Sequence, residues 1–385
     1  MKIMHLSDLH LGKRVNEFSM MEDQRTILNE ILQIIDEEKP DVVLIAGDVY
    51  DRSQPSTEAV SLLDDFLNRL HKRKNEFGLD TCIISGNHDS AERLAFGSKL
   101  MEKSGIHISP VYDGNIMVFT KDDAYGRVNF YLLPFIRPAD VRRFFPDEDI
   151  ASFDDAVSVA IRHACRDMDQ NARNVMVSHQ FVTGARVSDS EDIVVGTLDN
   201  IGASVYDGFD YVALGHIHRE QAVGKETIRY AGTPLKYSLS EIGQEKYVTM
   251  VELGEKGSSA EIKSIPLHPL HDMRQIEGRY DDLMKKENYE GTATHDYLKV
   301  ILTDEDELPH AIDRLRVVYP NIMHLEYNNP RTRYKAEIVG AEHVEEKKPM
   351  ELVEEFYEQQ NNQPLSEEQR DYLTKLIEKI WEEEV

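Results

Sequence analysis

Seven side chains stand at the polar tips of short apolar runs: Asp8 and His10 in SDLH, Asp48 in AGDVYD, Asn87 in SGNHD, His179 ending VMVSH, and His216 and His218 in GHIH. Carboxylate and amide oxygens mixed with imidazole nitrogens, with no sulfur among them, suit Mn2+, Mg2+ or Fe2+ better than a structural zinc cage. A spacing of two puts Asp8 and His10 on one face of an extended backbone, about 6.5–7 Å apart along it, and His216 and His218 likewise. Each pair can grip one ion or straddle two. One carboxylate with two oxygens can bridge ions roughly 3.5–4 Å apart, the spacing that clamps the attacking and leaving oxygens of a phosphoryl transfer. Asp48, at the end of the central apolar run, is the natural bridge. Asp48, Asn87 and His216 each follow or flank a glycine, and Gly215 is expected to let the backbone turn at a strand end. Any one such tip is commonly structural, with Asp capping a helix and His satisfied in a core. Five tips in series point to a shared metal site. His5, His71, His107, His163, His268, His295, His310, His324 and His343 fall outside the tips and read as core or surface residues.

The elements that must position these ligands follow from the runs themselves. KIMHLSDLH, DVVLIAGDVYD, TCIISGNHD, NVMVSHQ and YVALGHIH carry four to six apolar residues rich in Val and Ile, which reads as buried strands. QRTILNEILQIIDEEK and STEAVSLLDDFLNRLHKRK have helical spacing between the first three. Alternating strand and helix implies an α/β layered core, in which ligands bind outside the carboxyl ends of the strands. Shorter β-like segments between residues 106 and 135 and between 226 and 253 suggest a second sheet packed on the first. Residues 1–266 therefore read as one domain and 267–336 as a small β-α-β-α-β unit. A charged linker, 337–349, leads to helices over 350–385, the last opened by the capping-box pattern Ser366 to Gln369. Leu352, Phe356, Leu373, Leu376, Ile377, Ile380 and Trp381 form apolar faces there. Such a face docks either on its own domain or on a partner's helices.

Composition sets limits on this reading. A net charge of −27 argues, taken alone, against nucleic acid, because DNA binding is driven by Lys and Arg neutralising phosphates. The acid is concentrated toward the C-terminus, and two dications would change the field at the ligands. Two cysteines, Cys82 and Cys165, allow neither a disulfide framework nor a thiolate cage. No apolar run approaches the roughly 20 residues of a membrane span, and the chain opens on a strand-like segment, so a cytoplasmic location is expected.

The series D-x-H, G-D-x-x-D, G-N-H-D, H and G-H-x-H resembles that of the calcineurin-like metallophosphoesterases. HLSDLHLGK, GDVYDRSQP, GNHDS, LPFIRPAD, VTGARVSDSEDIVVGTLD, ALGHIH with Arg219, and AGTPLKYSLSE are closer still to the SbcD-type nuclease subunits of that superfamily. The resemblance implies a layered αββα sandwich of two mixed sheets, a capping domain that contacts DNA, and C-terminal helices that bind an SbcC-like coiled-coil ATPase. It implies two Mn2+ per chain: one held by Asp8, His10, Asp48 and His218, the other by Asp48, Asn87, His179 and His216, with Asp48 bridging. His88 then faces the substrate, stabilises the transition state and is a candidate proton donor to the leaving oxygen. Asp89 either caps the helix AERLAFGSKLMEK or orients His88. Asp51 stands where archaeal and eukaryotic relatives carry His, so that His's role does not transfer; Asp51 orders Asp48's loop or a ligand imidazole instead. Action at DNA ends and hairpins, a homodimer in a 2:2 complex, and a nucleoid-associated location come from the resemblance alone. The competing readings are a phosphomonoesterase or nucleotide phosphodiesterase using the same ligands, and a non-catalytic scaffold. No ligand of the series is missing, which weighs against the scaffold.

Overall fold

The computed structural model describes residues 1–189 and 200–329, together with Met350, Glu354, Tyr357, Leu365, Ser366, Gln369, Arg370, Tyr372 and Leu373. The chain forms two compact units. The first comprises Met1–Gln275 with His295–Lys299, and the second takes in Ile276–Thr294 and the described residues from Val300 onward.

In chain order the first unit begins with β1 (Lys2–Leu6), the small hairpin β2 (Arg14–Val15) and β3 (Phe18–Ser19), then α1 (Met21–Glu38) and β4 (Val42–Ala46). Next come α2 (Thr57–Phe77), β5 (Asp80–Ile84), α3 (Ala91–Leu94), α4 (Ser98–Glu102) and β6 (Ile106–Ser109). The hairpin β7 (Met117–Asp123) and β8 (Gly126–Leu133) leads to α5 (Pro138–Arg142), α6 (Phe153–Ala164) and β9 (Arg173–His179). β10 (Tyr211–Gly215), β11 (Gln221–Val223), β12 (Lys225–Tyr230), β13 (Tyr247–Glu252) and β14 (Glu261–Pro266) complete the two main sheets.

The first sheet has the order β14-β13-β1-β4-β5-β6 and the second β11-β12-β10-β9-β8-β7. Both are mixed: β1, β4, β5 and β6 run parallel, as do β8, β9, β10 and β12, while β13, β14, β7 and β11 are antiparallel to their neighbours. The motif strands are not all in one sheet, as the sequence suggested. β1, β4 and β5 lie in the first sheet and β9 and β10 in the second, while the later segments at β6 and β13 pair into the first. Alternation explains the sorting: Ile3, Val42, Leu44, Cys82 and Ile84 on one sheet meet Phe130, Leu132, Val175, Val177 and Ala213 on the other in a single buried cluster. Their partners on the outer faces are also apolar and also covered, as expected of parallel strands buried on both sides.

Helices cover the outside. α1 buries Ile27, Leu28, Ile31, Leu32 and Ile35 at spacings of three and four, and stops where Lys39 turns left-handed. α2 is capped by Ser56, whose hydroxyl accepts from Ala59 N–H, and ends at left-handed Gly78. The helix expected over AERLAFGSKLMEK is two short pieces separated at Gly97, whose φ of 76° breaks the turn. Its N-cap is Ser90, which accepts from Arg93 N–H, so Asp89 is not the cap.

β15 (Met273–Gly278), α7 (Tyr280–Leu283), α8 (Lys286–Tyr289), β16 (Tyr297–Leu302), α9 (Ala311–Leu315) and β17 (Ile322–Tyr327) follow, and the strands form a three-stranded sheet in the order β15-β16-β17. Its helices are single turns, shorter than YDDLMKKEN and LPHAIDRLRVVYP suggest. Of the C-terminal apolar positions, Leu373 is half-buried; Leu352, Phe356, Leu376, Ile377, Ile380 and Trp381 lie outside the described residues. Among the described residues no helix is long and apolar enough to cross a membrane.

Candidate metal centre

β1 and β4 pair in parallel, and the loops leaving them stay hydrogen-bonded: Asp8 N–H donates to Gly47 O (3.0 Å), His10 N–H to Asp48 O (2.9 Å) and Leu11 N–H to Val49 O (2.9 Å). These loops are not extended. Asp8, His10 and Asp48 have φ of 52°, 43° and 47°, left-handed values that cost non-glycine residues about 1–2 kcal/mol each. The strain turns adjacent side chains into one crevice, which the extended spacing of Asp8 and His10 had been expected to do. The GHIH turn is likewise made at His216, with φ 99°, and not at Gly215. Gly215 serves a close approach: a Cβ there would lie 1.9 Å from Ala46 O and 2.7 Å from His179 Nδ1. Gly86 has the same function, since its Cβ would fall 2.1 Å from Asp48 Oδ1.

All seven expected ligands meet at this edge. Asp8, His10 and His218 bring one donor atom each within 4.8 Å of one another, and so do Asp8, Asp48 and His179. His179 Nε2 lies 3.3 Å from Asp48 Oδ2, and His10 Nε2 lies 3.8 Å from the same oxygen. Asn87 Oδ1 is 2.9 Å from His216 Nδ1 and 3.0 Å from His179 Nε2. Two features fit this set to cations. His10 Nε2 faces His218 Nε2 at 3.2 Å, and His10 Nδ1 is buried without a hydrogen-bond partner. An imidazole so placed is far better satisfied by a cation than by its protein neighbours.

The buried charges of the crevice set one another's protonation. Burial pushes Asp8 up to about 6, helped by the charge of Asp48 and opposed by His179 and His218. Burial would raise Asp48 too, but His179, His10 and His88 together hold it well below the usual carboxylate range. His179 is carried up to about 9 by Asp48 against the pull of its own burial. Burial lowers His216 to about 3 and His10 well below the ordinary imidazole value. Both imidazoles are therefore neutral, the form that ligates.

A set of supporting groups orients the ligands. His179 Nδ1 donates to Ala46 O (2.7 Å), which turns Nε2 toward the crevice. His218 Nδ1 lies 3.4 Å from Glu241 Oε1, while Glu241 Oε2 accepts from buried Lys246 Nζ (2.6 Å). Gln24 donates to His10 O (2.7 Å) and accepts from Gly12 N–H (2.9 Å), and Tyr237 donates to Leu9 O (2.7 Å). Asp89 accepts from Val49, Tyr50 and Gly86 N–H, so it braces the Asp48 and Asn87 loops against each other and makes no bond to the His88 ring. Asp51 accepts from Lys13 Nζ (2.8 Å) and stands 3.7 Å from His10 Nδ1, too far for a hydrogen bond. Its backbone carbonyl accepts from His88 Nδ1 (3.1 Å). His88 N–H donates to Asp48 Oδ1 (2.9 Å), and the His88 side chain keeps 21% exposure at the crevice mouth. Gln24, Glu241, Lys246 and Phe135, whose ring packs on His179 and His216, were not anticipated as site residues. Tyr237 and Glu241 lie inside AGTPLKYSLSE, the one signal that pointed toward them.

A family model described as calcineurin-like phosphoesterase matches residues 1–220. The chain belongs to the calcineurin-like phosphoesterases. As a member of that family it is a metal-dependent phosphodiesterase, and the fold carries a dimetal site. A second model, described as type 5 capsule protein repressor C-terminal domain, matches residues 269–361. Over 389 residues the phosphoesterase is 33% identical to the SbcD subunit of nuclease SbcCD from Staphylococcus epidermidis, covering 100% of both chains, which places it in the SbcD branch. Two solved structures are remotely similar. A dimetal phosphatase from Danio rerio is 10% identical with a TM-score of 0.39, covering 70% of this chain and 98% of its own. A Thermus thermophilus protein is 11% identical with a TM-score of 0.38, covering 68% and 98%.

Proposed function

We propose that the chain is the Mn2+-dependent nuclease subunit of an SbcCD-type complex, degrading duplex DNA 3′ to 5′ from its ends and cutting single strands and hairpins in recombination, repair and replication. The observation that carries the phosphodiester chemistry is the convergence of five strand-end loops, from two sheets, on three donor triads within 4.8 Å: Asp8, His10 and His218; Asp8, Asp48 and His179; and His10, Asp51 and His88. The polynucleotide substrate is supported by full-length similarity to a protein named as a nuclease subunit.

Asp8, His10, Asp48 and His218 would hold one cation, and Asp48, Asn87, His179 and His216 the other, with Asp48 common to both. Two divalent cations supply Lewis-acid stabilisation of charge on the phosphoryl oxygens and a nucleophile at neutral pH. The chain's own groups do the rest. Neutral His10 and His216 present lone pairs, while His179 Nδ1 donates to Ala46 O and leaves Nε2 facing the crevice. His88, pinned at Nδ1 by the Asp51 carbonyl, holds Nε2 4.0 Å from Asp48 Oδ2, where it would stabilise the developing charge and pass a proton to the leaving oxygen. Residues 1–266 form the nuclease domain and 267–336 a capping domain that contacts DNA. Residues 337–349 link it to the ATPase-binding segment 350–385, in a homodimeric 2:2 complex in the cytoplasm, at the nucleoid. Two dications at these ligands would make the field there less negative than the net charge of −27 suggests.

The test is purified chain with Mn2+ on end-labelled duplex and hairpin DNA beside p-nitrophenyl phosphate. Cleavage of DNA supports the reading, whereas turnover of the monoester alone would sink it. Removing residues from Met350 onward is expected to keep basal cleavage and abolish binding to the coiled-coil ATPase.

A further inference from the structure

Beside the metal centre stands a cation that the roles above do not use. Most basic residues around the crevice are already committed: Lys13 and Arg52 to Asp51, Arg229 to Glu220 and Glu226, Lys246 to Glu241. Among the described residues Arg219, next to His218, and Arg137 have no such ion pair, and of the two Arg137 alone stacks on an aromatic ring that packs on the expected ligands. Arg137 is exposed, and among the described residues no carboxylate lies within ion-pair distance of its guanidinium. Its backbone N–H donates to Asp140, and its side chain lies over the Phe135 ring with Cζ 5.4 Å from the centroid.

Phe135 is the mount. It stands two residues past the end of β8, half-buried, with its N–H donating to Ser85 O (2.9 Å) just ahead of the Gly86–Asn87 loop. Its ring lies 6.3 Å from His179, edge-on, and 6.5 Å from His216, nearly parallel at 24°. One aromatic ring thus packs on two of the expected ligands and carries a guanidinium on its own π-face. The Asn87, His179 and His216 side of the centre gains an unneutralised, forked cation in a chain whose net charge is −27.

A small phosphoester would occupy the metal centre and end there. A polynucleotide continues past it, with a further phosphate on each side of the bond to be cut, and a planar guanidinium matches a phosphate in bidentate fashion. We propose that Arg137, held on Phe135, grips a backbone phosphate next to the scissile one, so that it selects polynucleotides over small phosphodiesters. This rests on the phosphodiesterase centre acting on nucleic acid. Phe135 is a positioning residue, and Arg137 is the substrate contact.

The test uses full-length protein with Mn2+ and compares a labelled oligonucleotide with bis(p-nitrophenyl) phosphate. Arg137→Gln is expected to lower the ratio of kcat/KM for the oligonucleotide to that for the small diester roughly tenfold or more, through KM, as loss of a hydrogen bond between charged groups does. The slope of log binding constant against log salt for the oligonucleotide should fall by about 0.7–0.9, the loss of one phosphate contact. Arg137→Lys keeps the charge and should restore the slope more than the ratio. Arg127→Gln, at the opposite end of β8, should change neither. A wild-type chain that hydrolyses bis(p-nitrophenyl) phosphate and leaves the oligonucleotide uncut overturns the nuclease reading and this inference with it. A wild-type chain that cuts the oligonucleotide, with Arg137→Gln keeping both ratio and slope, overturns the inference alone.

Discussion

Replacing Glu241 by Gln probes how the centre is held without touching an expected ligand. Glu241 is fully buried, with one oxygen 3.4 Å from His218 Nδ1 and the other 2.6 Å from Lys246 Nζ. Gln keeps the size and one acceptor but removes the charge. A carboxylate behind a ligating imidazole fixes its tautomer and raises its basicity, and its loss typically lowers metal affinity 10–100-fold. A second effect accompanies the first, because buried Lys246 loses the Glu241 carboxylate. Breaking a buried pair costs about 3–5 kcal/mol, and the low end applies because His218 O (2.9 Å) and Thr233 Oγ1 (2.8 Å) still accept from Lys246. The two effects separate in the double variant Glu241→Gln with Lys246→Met, which should recover much of the stability and none of the affinity. The assay is Mn2+ titration followed by electron paramagnetic resonance of free ion, alongside thermal unfolding with and without Mn2+. Wild-type affinity in Glu241→Gln would refute the orienting role. Affinity restored in the double variant would show that the loss came from Lys246 deprived of Glu241.

Three further outcomes follow from the same geometry. His88→Gln should lower kcat for DNA by about 10^2–10^4, the usual worth of a positioned proton donor, and lower it far less for bis(p-nitrophenyl) phosphate, whose leaving group needs no proton; equal losses would contradict that role. Gly215→Ala places a methyl against the Ala46 carbonyl and should destabilise the protein by about 3 kcal/mol or more, measured by thermal melting; a neutral result would show that the strand can shift. Asp80 is buried, which would raise it, but the His107 ring beside it and hydrogen bonds from Lys121 and Lys74 hold it well below the usual carboxylate range. Its contribution is therefore complete above the ordinary aspartate value and disappears as pH falls through the lowered folded value. Asp80→Asn should cost roughly 2 kcal/mol at pH 7 and progressively less in acid, and a loss independent of pH would contradict the assignment.

The strands were legible because each motif run is apolar on both faces, and a strand buried on both sides has no other pattern. Which sheet each one joins was not legible. β6 and β13 are short alternating runs whose pairing is decided by contacts far away in sequence, so they were grouped with the wrong neighbours. The ligand set was legible as residue types at strand ends, but the mechanism of their convergence was not. Spacing suggested extended pairs at Asp8–His10, whereas the loops use left-handed Asp8, His10, Asp48 and His216, a conformation that propensity disfavours and tertiary hydrogen bonds impose. Glycines were read as turn-makers; Gly215 instead leaves room for strand ends to touch across the two sheets, and Gly86 for the Asp48 and Asn87 loops to touch within one. Asp89 looked like a helix cap by its position before Glu92, and three backbone N–H groups claim it, leaving the cap to Ser90. Glu241 had only its place in AGTPLKYSLSE and Lys246 no signal at all, since a buried ion pair five residues apart is invisible until the chain folds.

The most direct test of the central claim is anomalous diffraction at the manganese edge from crystals grown with Mn2+. The account predicts two peaks per chain at the crevice, with Asp48 between them, Asp8, His10 and His218 around one and Asn87, His179 and His216 around the other. A single ion, or ions that leave Asp48 uncoordinated, would contradict it.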